Sequence, residues 1–153
     1  MTIPSPQHTH GFLYLTAARG IQDFILRGNK LREMIGGSQI VDQLTGKEGS
    51  LLYRLLAEIG VDTDDAAACR VLTAAAGGAR LWIADEAKAR QLFRLWPFVA
   101  AHHAPGIEVV QVLLPVGANL AATLAATLAA AETELARQRN RAFPRLPLGS
   151  LVK

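Results

Sequence analysis

Residues 69–84 read Cys69-Arg70-Val71-Leu72-Thr73-Ala74-Ala75-Ala76-Gly77-Gly78-Ala79-Arg80-Leu81-Trp82-Ile83-Ala84. A short apolar run, a small-residue turn and a second apolar run make this a β-hairpin. Strands are expected over Cys69–Ala74 and Leu81–Ala84, with Gly77-Gly78 as the turn between them. What lies on either side of the hairpin decides the fold.

Upstream, Phe12-Leu13-Tyr14-Leu15-Thr16 is an apolar, aromatic run bounded by glycine, the pattern of a buried strand. From Ile21 the apolar residues change to helical spacing: Ile21, Phe24 and Ile25, then Leu31, Met34 and Ile35. Gly28-Asn29 predicts a break, and a second helix follows from Lys30 to Leu44, with a distortion expected at Gly36-Gly37. Ser50 is placed to cap a third helix, which carries Leu51, Leu52, Leu55, Leu56 and Ile59 and ends at Gly60. Downstream, Asp85 is an N-cap for a helix running to His103, with Pro97 as an internal kink or stop. Ile107–Leu114 is the clearest strand, and a long Ala-rich helix over Asn119–Arg141 is expected to pack closely on the sheet.

The order strand, helices, hairpin, helix, strand predicts an α+β domain of ferredoxin-like type: a four-stranded antiparallel sheet with helices on one face. Residues 1–10 read as a loose leader, 11–142 as the domain and 143–153 as an irregular tail.

Composition sets outer bounds. The chain has 153 residues, half of them hydrophobic and 19% charged, which fits a folded core and not general disorder. A net charge of +3 accommodates an RNA or nucleotide partner without requiring one. One cysteine, Cys69, precludes an internal disulfide and fits a reducing cytoplasm. The opening MTIPSPQHTHG lacks the charged and apolar regions of a signal peptide. No apolar run reaches the roughly 20 residues of a membrane helix, so no membrane partner is expected.

Two stretches carry a family resemblance. Gly20-Ile21-Gln22-Asp23-Phe24-Ile25, then Asn29-Lys30-Leu31-Arg32-Glu33-Met34-Ile35-Gly36-Gly37-Ser38, resembles the first palm domain of the large polymerase/cyclase subunit of type III CRISPR effector complexes. Ala76-Gly77-Gly78-Ala79 resembles that family's hairpin tip more loosely, and Ala104–Val109 the turn into its last palm strand. The resemblance covers residues 11 to about 114.

It implies a nucleotide site around Gly20, Ile21, Gln22, Arg27, Lys30, Gly77 and Gly78, where backbone N–H groups and cations would face phosphate. It also implies a missing function. Active palms carry one acid at the end of the first strand and a pair after Gly-Gly, because the two divalent metals of nucleotidyl transfer need carboxylates. Here those positions read Thr16-Ala17-Ala18 and Ala79-Arg80. No catalytic or metal-binding residue is therefore assigned. No intrinsic cofactor is expected, and ATP with Mg2+ or Mn2+ would be supplied by a partner palm.

The role implied is that of the supporting palm in an RNA-guided antiviral complex making cyclic oligoadenylate. Its partners would be a second palm or a second copy, other CRISPR effector subunits, and guide or target RNA. Two other readings compete: a stand-alone palm cyclase acting as a dimer, and a ferredoxin-like RNA-binding module stacking bases on Tyr14 and Trp82. The bland readings are a solvated helix face for Arg19, Arg27, Lys30 and Arg32, a dipole partner for Asp23, helix-end roles for His102-His103 and Arg137–Arg141, and core packing for the aromatic residues.

Overall fold

A computed structural model describes residues 11–21, 25–26, 31–46, 49–117 and 120–141. Among them are strands β1 (Phe12–Arg19), β2 (Cys69–Ala75), β3 (Gly78–Ile83) and β4 (Glu108–Pro115). The helices are α1 (Leu31–Thr45), α2 (Leu51–Glu58), α3 (Glu86–His103) and α4 (Leu120–Asn140). The sheet is antiparallel in the order β2-β3-β1-β4, so the fold is α+β with a ferredoxin-like sheet. The expected leader over 1–10, the break at Gly28-Asn29 and the tail over 143–153 lie outside the described residues.

The sheet has helices on both faces, not one. β1 explains why: Phe12, Tyr14 and Ala18 point one way and Leu13 and Leu15 the other, and all are buried. A strand apolar on both sides needs cover on both sides. α1, α2 and α3 cover the first face through Val41, Leu44, Leu52, Leu56, Leu92 and Trp96. α4 covers the second over β1 and β4, with Leu124, Leu128, Ala131 and Leu135 at successive helical turns against Leu15, Val110 and Val112. Fully burying one such leucine contributes about 2 kcal/mol.

Local signals set the element ends. Asp85 accepts a hydrogen bond from the Lys88 N–H at 3.2 Å and caps α3. α1 runs through Gly36-Gly37 without interruption. β1 is longer than its apolar run predicted, continuing through Ala17 and Ala18 to Arg19 beside β4. Pro97 neither stops α3 nor shortens it. β2 contains a bulge between Val71 and Thr73 that inserts Leu72. No described helix is long and apolar enough to cross a membrane.

Candidate functional site: the end of β1 and the hairpin tip

The β2–β3 turn is centred on Ala76-Gly77, one residue earlier than the Gly77-Gly78 expected, because Ala75 pairs with Gly78 as the first residue of β3. Both turn residues have positive φ, 53° at Ala76 and 80° at Gly77. That is the two-residue type I′ turn, whose twist matches the strands it joins. Gly77 is needed for a second reason. A Cβ there would stand 3.0 Å from the Ala18 Cβ and 3.6 Å from the Ile21 Cδ1. The hairpin tip thus lies on the end of β1, and Ile21 and Gly77, far apart in sequence, come together. Gly78 sits against the Thr16 carbonyl, 3.3 Å from where its Cβ would be.

Beyond the tip, β1 ends at Gly20, whose φ is 71°. Gly20 and Ile21 line an open groove of about 690 Å³ with Ala18, Arg19, Ala136, Arg139 and Asn140. Arg19 fixes this arrangement. Its guanidinium donates to the carbonyls of Arg141 at 2.8 Å and Gln138 at 3.4 Å, and lies 3.9 Å from the Glu108 carboxylate. A cation on the last carbonyls of α4 suits the negative end of that helix. The groove is polar, open and flanked by arginine, which suits an anionic ligand. Of the site residues expected from the sequence, Gly20, Ile21, Gly77 and Gly78 gather at the end of β1, whereas Gln22, Arg27 and Lys30 lie outside the described residues.

Thr16 pairs with Ala79 across β1 and β3. The Thr16 hydroxyl is buried and donates to the Val110 carbonyl at 3.1 Å. Ala79 is completely buried on the face of α1–α3. Arg80 points to the opposite face and forms a two-pronged ion pair with Glu132 of α4; its second guanidinium nitrogen is 2.9 Å from the carboxylate. That bond to Glu132 raises the Arg80 pKa, and the bond to Arg80 lowers that of Glu132. Among the described residues no three His, Cys, Asp or Glu side chains converge to hold a metal.

The aromatic residues needed for base stacking are not displayed. Tyr14 is wholly inside and Trp82 is 8% exposed, with the Arg70 guanidinium 5.8 Å over its ring. Burial pushes the Tyr14 phenol up. Of the remaining groove residues, Arg139 shows in the sequence only as part of the basic end of the last helix, and Ala136 and Asn140 carry no local signal; the crossing of α4 over the second sheet face brings all three to Gly20. No protein-family model matches the chain, and no curated protein matches it significantly.

Proposed function

We propose that this chain is a non-catalytic palm domain resembling the first palm of the type III CRISPR large subunit. In this reading it supports ATP binding and the assembly of a cyclic-oligoadenylate-producing, RNA-guided antiviral complex in the cytoplasm. The observation that carries the reading is the pairing of Thr16 with Ala79. Thr16, the last β1 residue paired with β3, and the residue after the hairpin glycines stand side by side, the arrangement a metal-dependent palm would use, and neither bears a carboxylate. Arg80, the next residue, is bound to Glu132 on the other face of the sheet.

The nucleotide would contribute its phosphates to the groove beside Gly20. There the backbone turns with positive φ and Arg139 supplies a cation. Metal ions and the catalytic carboxylates would come from a partner palm facing the hairpin tip. The competing dimeric cyclase would need carboxylates of its own at the tip, and the RNA-binding alternative would need exposed sheet aromatics, which Tyr14 and Trp82 are not.

Titration with ATP, followed by amide chemical shifts, tests the binding half of the proposal. Shifts at Gly20, Ile21 and Gly77 that weaken in Arg139→Glu are the expected result, and an unperturbed β1 end overturns it. Incubation with ATP and Mg2+ or Mn2+ tests the other half: release of a cyclic product by this chain alone would show that it is an enzyme.

A further inference from the structure

The two edges of the sheet differ. At the β2 edge the Leu72 bulge breaks the regular spacing of backbone groups, a device that blocks strand addition. The β4 edge has no such interruption. All eight of its residues, Glu108–Pro115, pair with β1 in one unbroken register.

The direction of its backbone groups follows from a single bond. The Val116 N–H donates to the Gly11 carbonyl at 3.0 Å, continuing the same register by one pair. Hydrogen-bonded and non-bonded pairs alternate along an antiparallel ladder. Residues 110, 112 and 114 therefore turn their N–H and C=O groups toward β1, and Val109, Gln111 and Leu113 turn theirs outward. Pro115 falls in the outward set, where its missing N–H costs the ladder nothing. No described residue takes up the outward backbone groups of Val109, Gln111 and Leu113.

This edge is the floor of a groove of about 590 Å³ between α3 and α4, lined by Gln111–Leu114, Arg90, Arg94, Glu134 and Gln138. The charges in it are unequally engaged. Glu134 is bonded to Arg137 at 2.8 Å, and Arg90 to Glu86 at 3.0 Å. Arg94, one helical turn beyond Arg90, is exposed and has no ion pair or hydrogen bond with any described residue. The unspent charge of the groove is positive.

We propose that the β4 edge accepts an extended, acidic segment of a partner protein as a further strand. Its backbone bonds to Val109, Gln111 and Leu113, and a carboxylate on its α3-facing side meets Arg94. A second copy of this chain fits less well. Antiparallel β4–β4 pairing across a two-fold axis sets α3 beside α3 on one face, so Arg90 and Arg94 would approach their own equivalents. This inference goes beyond the nucleotide reading and does not depend on it, since the groove lies along the β4 edge and shares no lining residue with the groove at Gly20, which ends the inner strand β1.

The test uses the full chain and a short synthetic peptide alternating valine with glutamate, beside a control peptide with lysine for glutamate. Binding is read by titration and by amide hydrogen exchange. The expected result is binding of the glutamate peptide with slowed exchange at Val109, Gln111 and Leu113. Leu113→Pro, which deletes an outward N–H and leaves the β1 ladder intact, should abolish that protection. Arg94→Glu, at an exposed position that leaves the fold untouched, should weaken the glutamate peptide about tenfold and favour the lysine peptide. Equal binding of both peptides, or no protection at those amides, overturns the proposal. So does protection arising from self-association without peptide, or from an RNA oligonucleotide in place of peptide.

Discussion

Gln111 completes the helix that Pro97 interrupts. Pro97 has no N–H to give to the Phe93 carbonyl four residues earlier, and the Gln111 Nε2 donates to that carbonyl instead, at 2.8 Å. The Gln111 Oε1 in turn accepts from the buried Tyr14 hydroxyl at 2.7 Å. One strand side chain thus satisfies a helix carbonyl and a core phenol, which explains why α3 runs on to His103.

Replacing Gln111 with leucine strands both partners, and the expected loss is about 2 kcal/mol of unfolding free energy. In a Pro97→Ala background the helix regains its own N–H, so the same replacement should cost about 1 kcal/mol less. Urea denaturation of the four proteins in the cycle measures this coupling. Additive costs would show that Gln111 does not substitute for the missing N–H.

The turn offers a gain and a loss. Ala76 holds φ at 53° with a side chain that disfavours it, and asparagine tolerates that conformation better. Ala76→Asn should stabilise the fold by about 0.5 kcal/mol. Gly77→Ala should destabilise it by more than about 1 kcal/mol, since it adds backbone strain to the close approach of Ala18. Thermal unfolding of the two variants gives the comparison, and equal midpoints would rule out a type I′ turn at this site.

The Arg80–Glu132 pair predicts a pH dependence. Its hydrogen bond to Arg80 holds the Glu132 carboxyl below its ordinary value of 4.5. A carboxyl depressed on folding contributes stability above its unfolded value and loses it as the pH falls through the folded one. Both side chains are more than a third exposed, so the contribution is only about 0.5 kcal/mol. Wild type should exceed Glu132→Gln by that amount at neutral pH, and the difference should fade once the pH drops below 4.5. A difference that persists unchanged in acid would assign it to packing, not charge.

Cys69 is buried at the start of β2, and burial pushes its thiol up to about 11. It should therefore be inert to thiol reagents at neutral pH in the native protein. Labelling in a urea series should follow the unfolding transition; fast labelling without denaturant would mean that β2 opens locally.

Much of the fold was legible because the strands and helices differ cleanly in period. The hairpin, β4 and the apolar faces of α2 and α3 all show in the order of residues. The alternation of Phe12 and Tyr14 with Leu13 and Leu15 also carried the two-sided burial of β1, yet an unbroken apolar run does not say what covers each side. The turn was displaced by one residue because Gly77-Gly78 outshone Ala76, an alanine forced into a glycine's conformation. The site was legible only where it is local. Gly20 with Ile21 and Gly77 with Gly78 are punctuation in the chain, while Arg139 and the Gln111–Phe93 bond depend on elements brought together across the sheet.

The Leu72 bulge has a consequence for valence. A sheet open along both sides can hand growth from one molecule to the next and build a fibre. With β2 spoiled by one inserted residue and β4 regular, this sheet has a single acceptor side. Whatever strand it takes on, it ends the row rather than extending it, and deleting Leu72 would be the shortest route from a terminator to a repeating unit.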